Sequence, residues 1–172
     1  MLAPTTTFVP ETTIRAMTVS DIPAVREMAM RIWRQHYVPD IVTAGQIEYM
    51  LPLLYSEEAI TRNLKEKSHQ FRLLYCGGKL AGYIAVEPRD NGVWFVDKLY
   101  IDVDIQRRSL GSMLLERIIT ELSPRELQLR VNRKNYKAVN FYFRHGFCIE
   151  SLHVLDIGSG FVMDDFIMKR VL

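Results

Sequence analysis

The sequence predicts an α/β chain in which one mixed, mostly antiparallel β-sheet carries helices on both faces. Two glycine turns, at residues 77–78 and 158–160, each join two apolar runs, and such turns predict antiparallel hairpins. A strand, an amphipathic helix and another strand follow one another up to Val131, which permits one parallel pair of strands. The order of elements therefore differs from that of a doubly wound nucleotide-binding fold.

The N-terminal third contains one strand followed by helices. Residues 13–17 predict a short strand, and Thr18 or Ser20 can cap the helix that comes next. The apolar residues of this helix recur at helical spacing: Ile22, Val25, Met28, Ala29, Ile32 and Trp33. A second helical stretch is interrupted by Pro52, and a third begins at Ser56, where two glutamates favour the positive helix start.

Strands and helices alternate in the rest of the chain. The run VWFVDKLYI, residues 93–101, is nearly all apolar, which is typical of a strand covered on both faces. The next helix presents a wide apolar stripe formed by Leu110, Met113, Leu114, Leu115, Ile118, Ile119 and Leu122. Residues 126–131 alternate in character and predict a strand, after which Asn135 can cap a helix that Gly146 ends. Two final strands flank the second glycine turn.

The composition is that of one folded domain. Of the 172 residues, 48% are apolar and 24% are charged, which suits a globular domain with a hydrophobic core. We expect residues 1–12 to be a flexible leader and residues 13–172 to be a single domain. No apolar run approaches the ~20 residues that span a bilayer, so no membrane partner is expected. Because Cys76 and Cys148 are too few for a disulfide framework and the histidines lack metal-ligand spacing, we expect two buried cysteines, no metal and a cytoplasmic location.

The net charge of +2 hides one basic segment. Residues 123–147 contain one acidic residue, Glu126, and six basic ones: Arg125, Arg130, Arg133, Lys134, Lys137 and Arg144. Such a segment fits either a solvated helix face or a site for a multiply phosphorylated small molecule. A nucleic acid is not an expected partner, because the basic stretch is short and the rest of the chain is not basic.

The stretch QRRSLGS, residues 106–112, runs directly into the amphipathic helix. A helix start leaves backbone N–H groups without partners, and the helix dipole favours negative charge there. A loop that turns its amides inward in front of such a helix can hold a pyrophosphate, with Arg107 and Arg108 adding positive charge. The alternative is a basic, capped helix start with no further function.

This stretch and a second one, LRVNRKNYKAVNFYFRHGF at residues 129–147, together resemble the GNAT superfamily of acetyl-CoA-dependent N-acetyltransferases. The phosphate-loop pattern of that family, Q/R-x-x-G-x-G/A, is met by Gln106 at its first position and by Gly111 at its last. The second family pattern, N-x-x-A-x-x-F-Y-x-x-x-G-F, is met by Asn135, Ala138, Phe141, Tyr142, Gly146 and Phe147. The element order from residue 13 onward is similar too, so the resemblance covers almost the whole chain.

The resemblance implies the GNAT fold, in which a mostly antiparallel sheet of six or seven strands is flanked by about four helices and splits in a V between its central strands. It also implies acetyl-CoA as co-substrate, with pantetheine paired to the backbone of Leu99, Tyr100 and Ile101. The further cofactor-binding residues that it implies are Gln106, Arg107, Arg108, Ser109, Leu110, Gly111, Ser112, Asn135, Ala138, Tyr142 and Arg144.

Ser109 departs from the family pattern, because it stands where the phosphate loop has its first glycine. Glycine permits a positive φ or a close approach of the backbone to the phosphates. With a negative φ, serine fits and its hydroxyl can add a phosphate contact. With a positive φ, it carries strain of about 1–2 kcal/mol, which weakens cofactor binding without abolishing it. In both cases we expect the cradle to survive, since serine keeps the backbone amide.

The resemblance places Tyr142 at the position of the family's general acid, and a phenol with a pKa of about 10 can protonate a departing thiolate. The general base is less clearly defined. Asp97 is the best candidate, because an aspartate on a buried strand needs a partner and adjacent Lys98 is expected to point to the other face. The alternatives are a purely structural hydrogen bond at Asp97, a base at His36 or Glu87, and a water chain without a dedicated base.

The acceptor site is expected between the early helices and the last hairpin. Trp33 and Tyr37 are the leading residues for it, because aromatic faces attract cationic amines. Other candidates from the same two regions are Tyr49, Tyr55, Asp156, Asp164 and Asp165. A small amine or polyamine is the expected acceptor. The alternatives are a protein N-terminus, a lysine side chain, or a sensor that binds acyl-CoA without turnover. We expect a monomer or a homodimer.

Overall fold

Seven strands form one sheet in the order β1-β2-β3-β4-β5-β7-β6. The computed structural model describes residues 11–66, 68–102, 104–105 and 109–172. The strands are β1 (Thr12–Ala16), β2 (Gln70–Cys76), β3 (Lys79–Pro88), β4 (Val93–Ile101), β5 (Glu126–Asn132), β6 (Cys148–Gly158) and β7 (Phe161–Val171). Neighbouring strands are antiparallel except β4 and β5, which are parallel. This arrangement confirms the predicted mixed sheet. Strand β1 begins at Thr12, the last residue of the expected leader. Residues 1–10 of that leader lie outside the described part of the chain.

Five α-helices lie among the described residues, one more than the expected four or so. They are α1 (Ile22–His36), α2 (Ala44–Tyr55), α3 (Glu57–Lys65), α4 (Leu110–Leu122) and α5 (Tyr136–Arg144). Two of the predicted caps are present. The side chain of Ser56 accepts a hydrogen bond from the amide of Ala59 at the start of α3, and that of Asn135 accepts one from the amide of Ala138 at the start of α5.

Pro52 lies inside α2 and does not interrupt it, contrary to the prediction. The amide of Ser56 still donates to the carbonyl of Pro52, at 3.2 Å. Met50, Leu51 and Tyr55 are buried on the core side of the helix, while Pro52 is exposed. Burial of this apolar face therefore outweighs the cost of a proline inside a helix, which is about 3 kcal/mol.

The sheet divides the hydrophobic core into two layers. Leu73, Tyr83 and Ala85 pack with the buried residues of α1 and α2 on one face. Leu74 and Ile84, which alternate with them along β2 and β3, pack with the buried residues of α4 and α5 on the other face. The sheet is thus covered on both faces, as the continuous apolar runs predict.

The two central strands separate halfway along their length. Strands β4 and β5 pair only where Val93–Val96 lie beside Glu126–Leu129. Beyond that point, β4 stays paired to β3 as far as Ile101, and β5 stays paired to β7 as far as Asn132. The result is a V-shaped gap with β4 on one side and β5 on the other, as the family resemblance implies.

A β-bulge marks the point of separation. On β3, Ala85 pairs with Lys98 and Val86 pairs with Val96, so Asp97 is an extra residue without a partner position. A bulge bends its strand and increases the local twist. The bend at Asp97 therefore turns the end of β4 away from β5.

Strand β6 forms one edge of the sheet, and most of its side chains are exposed. Cys148 is exposed on this strand, contrary to the prediction, because an edge strand has a neighbour on one side only; Cys76 on β2 is buried as predicted. Across the described ranges, no helix is both long and apolar enough to cross a membrane. The same ranges hold no group of three or more His, Cys, Asp or Glu side chains arranged to bind a metal.

Candidate active site

A cleft of about 1550 Å³ lies between the end of β4, the start of α4, helix α5 and the end of α1. Every expected cofactor-binding residue that the structure describes lines this cleft: Leu99, Tyr100, Ile101, Ser109, Leu110, Gly111, Ser112, Asn135, Ala138, Tyr142 and Arg144. Gln106, Arg107 and Arg108 lie outside the described residues. The fold therefore brings segments from three separate parts of the sequence to one surface.

The start of α4 forms one wall of the cleft. Ser109 is the N-cap and has φ +81°, so the strained alternative applies and serine occupies a left-handed conformation that glycine adopts freely. Helix geometry leaves the amides of Leu110, Gly111 and Ser112 without an intrahelical acceptor. A β-carbon at Gly111 would lie 3.2 Å from the ring of Phe141, so glycine allows α4 to pack closely on α5.

Positive side chains line the same cleft. Of the six basic residues in the segment 123–147, Lys134, Lys137 and Arg144 are at the cleft. Together with the helix start, they provide an environment that favours a multiply charged anion. This arrangement supports the phosphate-site interpretation of the basic segment over that of a solvated helix face.

His145 is a cleft residue that the sequence analysis did not identify. Its Nδ1 lies 2.8 Å from the carbonyl oxygen of Phe141, and its Nε2 lies 2.8 Å from Oγ of Ser112. Because a carbonyl only accepts, Nδ1 carries a proton, and in the neutral ring Nε2 accepts from the Ser112 hydroxyl. The imidazole thus joins the end of α5 to the start of α4. The sequence feature that could have identified His145 is its position directly before Gly146, the residue that ends α5.

A second cavity, of about 310 Å³, lies on the other side of the gap between β4 and β5. Its aromatic walls include Trp33, Tyr37, Tyr55, Phe95 and Tyr100, and its charged lining residues are Asp97, Lys98, Arg130 and Asp165. The residues that line both the cleft and this inner cavity are Tyr37, Leu99, Tyr100, Asn135, Ala138 and Tyr142. The two spaces therefore meet at the gap.

Both residues expected to bind the acceptor lie at the inner cavity. The rings of Trp33 and Tyr37 are stacked, with centroids 5.0 Å apart. Nε1 of Trp33 donates to the hydroxyl of Tyr100 at 3.2 Å, which fixes the indole against β4. Tyr49, by contrast, donates its hydroxyl to the carbonyl of Ile157 at 2.7 Å, which gives it a structural role.

Tyr142 lies at the junction of the cleft and the inner cavity. Its side chain is buried, and burial, followed by the nearby Tyr37, raises the pKa of its phenol well above the usual value. A raised pKa keeps the hydroxyl protonated through and beyond the physiological pH range. The residue is therefore placed and protonated as a proton donor would be.

Asp97 lines the inner cavity, but its surroundings differ from the expectation. Lys98 does not point away from it, because the bulge breaks the alternation of the strand and Nζ of Lys98 donates to Asp97. Nε2 of His69, which is buried, lies 3.6 Å from the same carboxylate. Burial alone would raise the pKa of Asp97, but hydrogen bonding to His69 and the charge of Lys98 outweigh it and hold that pKa well below its usual range.

The alternative bases lie elsewhere. His36 lines the outer cleft, where burial and then the charge of Lys137 lower its pKa. The carboxylate of Glu87 accepts from Arg89 at 3.0 Å on the surface side of β3. Of the three bases considered from sequence, Asp97 is the one that lines the inner cavity.

Asp165 on β7 is a second carboxylate of the inner cavity. It is 4% exposed, and its Oδ1 has no hydrogen-bond partner among the described residues. Burial raises its pKa above the usual value, although the charge of Arg130 opposes this. The sequence pattern named it only as one of several late aspartates, and its burial became evident from the pairing of β7 between β5 and β6.

Replacing Ser109 by glycine is expected to raise the free energy of unfolding by about 1 kcal/mol, because glycine removes the left-handed strain. The matched control is Ser123→Gly at the other end of α4, where φ is +44°. Urea unfolding should show a similar gain for both variants. CoA affinity, measured by calorimetry, should stay within about threefold of wild type in both, since no backbone donor is lost. A Ser109→Gly variant no more stable than wild type would contradict the strain.

Replacing Asp97 by asparagine is expected to lower the free energy of unfolding at neutral pH by about 3 kcal/mol, because Lys98 is left buried without its counter-ion. The double variant Asp97→Asn, Lys98→Met should recover most of that loss. The folded pKa of Asp97 lies below its unfolded value, so the wild-type advantage should be full above a pH of about 4 and shrink as the pH falls further. Equal stability of Asp97→Asn and wild type at pH 7 would contradict this pairing.

The chain is similar in sequence and in fold to several known proteins. Over 145 residues the chain is 28% identical to a probable N-acetyltransferase, Rv2775, of Mycobacterium tuberculosis, covering 80% of each chain. Over 81 residues it is 35% identical to the peptidyl-lysine N-acetyltransferase YjaB of Salmonella typhimurium, covering 43% of this chain and 54% of that protein. The fold is similar to that of the PaiA N-acetyltransferase of Thermoplasma acidophilum, solved with coenzyme A, with a TM-score of 0.77, 24% identity and coverage of 94% and 99%.

The family itself is identified by the sequence model of the GNAT acetyltransferase domain, which matches residues 40–162. This range includes both strands of the gap, the start of α4 and the whole of α5. The match covers well over half of the chain and confirms the resemblance drawn from the two motifs. The chain therefore belongs to the GNAT acetyltransferase family.

Proposed function

We propose that this GNAT acetyltransferase transfers the acetyl group of acetyl-CoA to the primary amine of a small amine or polyamine. The observation that carries the proposal is the meeting of two unlike spaces at the gap between β4 and β5. One is a basic cleft in front of a helix start, and the other is an aromatic cavity with two carboxylates. A phosphorylated acyl donor suits the first, and a cationic amine suits the second.

The donor is proposed to bind with its phosphates at the start of α4 and its thioester at the gap. Lys134, Lys137 and Arg144 line the cleft on the side of α5 and would face the phosphates. Beyond Val96, β4 has no strand partner on the side of β5, so the backbone at Leu99–Ile101 can pair with the amide groups of pantetheine. An N–H group of this segment would then stabilise the oxyanion that forms at the thioester.

The proposed reaction is direct attack of the amine on the thioester, as the family resemblance implies. The amine reaches the thioester from the inner cavity, and its nitrogen forms a bond to the carbonyl carbon. The C–S bond breaks as the tetrahedral adduct collapses, and Tyr142 donates its phenolic proton to the departing thiolate. The phenol is restored by the proton that the new amide nitrogen releases, so the residue ends the cycle unchanged.

The general base is proposed from the carboxylates of the inner cavity. Asp97 is the residue that the sequence analysis favours, and it lies there beside Lys98 and His69. Its lowered pKa makes it a weak base, so its contribution is through bound water and through the charge balance of the cavity. The buried pair with Lys98 also fixes the bulge that opens the gap.

A lysine side chain is the second candidate acceptor. The YjaB relatives of Salmonella typhimurium and Escherichia coli carry the name peptidyl-lysine N-acetyltransferase, at 35% and 33% identity over 81 residues. A lysine and a polyamine both present a primary ammonium on an alkyl chain, which an aromatic cavity of about 310 Å³ accommodates. They differ in what lies outside the cavity, because a peptide needs an open surface for its backbone.

The proposal is tested by following free thiol with acetyl-CoA and a panel of amines: spermidine, propylamine, and a lysine blocked at both its α-amino and carboxyl groups. Amine-dependent thiol release supports transferase activity, and the relative kcat/KM values rank the acceptor classes. Tight CoA binding without thiol release for any amine would favour a sensor instead.

Replacing Tyr142 by phenylalanine is expected to lower kcat by about 10²-fold or more while leaving CoA affinity near wild type, because only the proton donor is lost. Since the pKa of Tyr142 is raised, wild-type kcat should show no loss from ionisation of this acid between pH 7 and pH 9. Tyr75→Phe is the matched control: its hydroxyl bonds Arg15 on the remote side of the sheet. An unchanged kcat in Tyr142→Phe would refute the assignment.

A further inference from the structure

Asp165 occupies an unusual position for a carboxylate. It lies in the middle of β7, opposite Asn132 of β5 and His153 of β6, and lines the inner cavity. The residue is 4% exposed, and its Oδ1 has no hydrogen-bond partner among the described residues. A buried charge of this kind is costly unless a partner neutralises it.

Arg130 also lines the cavity, and its positive charge lowers the pKa of Asp165, but the two side chains form no ion pair within 4 Å. Arg130 donates from Nη1 to Nε2 of His153 at 3.3 Å, and its guanidinium lies 5.5 Å from the centre of the Phe95 ring. The carboxylate of Asp164 lies 3.4 Å from Arg133, on the more exposed side of the strand. The charge of Asp165 also reaches Tyr37 in the same cavity, where it adds to burial in raising the pKa of that phenol.

The two carboxylates of the cavity, Asp97 and Asp165, therefore differ in whether a cation is paired with them. Asp97 is neutralised by Lys98 and faces His69, both of which are buried. Between the described residues, no ion pair within 4 Å joins Asp165 to a cation. Asp165 is thus the cavity carboxylate that has no ion-pair partner among the described residues, and the aromatic rings of the cavity add a surface that attracts cations.

We propose that Asp165 binds the ammonium group of the acceptor and takes a proton from it before attack. This inference rests on the proposed acetyl transfer and names the residue that selects a cationic acceptor. One proton passes from the ammonium R–NH3⁺ to the carboxylate of Asp165, which gives R–NH2 and a carboxylic acid. The freed lone pair then attacks the thioester carbon, and the proton leaves Asp165 for solvent after the products depart.

Burial suits Asp165 to both parts of this role. An amine that enters the cavity loses water, which lowers its own pKa, while burial raises that of the carboxylate. The two changes bring the pKa of the amine and the pKa of the Asp165 carboxyl group closer together. A cationic acceptor in the cavity would give Asp165 the counter-ion that the described residues do not provide.

The test compares Asp165→Asn with the control Glu150→Gln, which makes the same change on the edge strand β6, where Glu150 pairs with Lys169 and lines neither cavity. Spermidine is titrated by calorimetry into each protein saturated with CoA, and acetyl-CoA is titrated separately. We expect Asp165→Asn to lose at least about tenfold in spermidine affinity and about 10²-fold in kcat/KM for the amine. Its acetyl-CoA affinity should match that of wild type, and Glu150→Gln should match wild type in every measurement.

Two further readouts separate this role from a structural one. Removal of an unpaired buried charge should leave the unfolding midpoint of Asp165→Asn at neutral pH equal to or above that of wild type. Among the amines that wild type acetylates, the loss in kcat/KM should be larger for the more basic ones, which need more help with deprotonation. Asp165→Glu, which keeps the charge, should recover part of the spermidine affinity.

Spermidine binding by Asp165→Asn as tight as that of wild type would overturn the inference, and so would a parallel loss of acetyl-CoA binding. An equal loss of kcat/KM for strongly and weakly basic amines would overturn the proton-transfer step. Failure of the acetyl-transfer proposal itself is distinguishable, because wild type would then show no amine-dependent thiol release at all.

Discussion

The separation of β4 from β5 beyond Val96 is the constraint on which the rest of the structure depends. A continuous sheet would seal the two cavities from each other and satisfy the backbone of Leu99–Ile101. The bulge at Asp97 prevents this by bending β4, and Lys98 donates to the half-buried Asp97 carboxylate at the bend. The fold therefore lacks strand pairing between the ends of β4 and β5, and the gap that results opens to a cavity on each side.

The gap joins environments that differ in charge. The start of α4, with Ser109 in a left-handed conformation, faces the basic side chains of α5, and His145 links the two helices through Ser112. On the opposite side, the last hairpin contributes Asp165 and helix α1 contributes Trp33 and Tyr37. Tyr142 lines both spaces, so in the proposed reaction its phenol lies between the donor and the acceptor.

Much of this arrangement follows from local sequence signals. The Gly77-Gly78 turn, the cap at Asn135 and the apolar run of β4 each depend on nearby residues, and each was predictable. The orientation of Lys98 was not predictable, because a bulge breaks the alternation of side chains that a regular strand would impose. The burial of Asp165 and the exposure of Cys148 were not either, since both depend on the order of β5, β7 and β6 in the sheet. The predicted interruption of α2 at Pro52 was wrong, because burial of the neighbouring apolar residues outweighs the low helix propensity of proline.

Amide hydrogen exchange with and without acetyl-CoA tests the role of the gap most directly. If the donor pairs with the free side of β4, the peptide that covers residues 97–102 should exchange more slowly once acetyl-CoA is bound. The start of α4 should be protected with it, while β1 and β2 should be unaffected. Saturation with acetyl-CoA that leaves both segments exchanging as in the unbound protein would contradict the account.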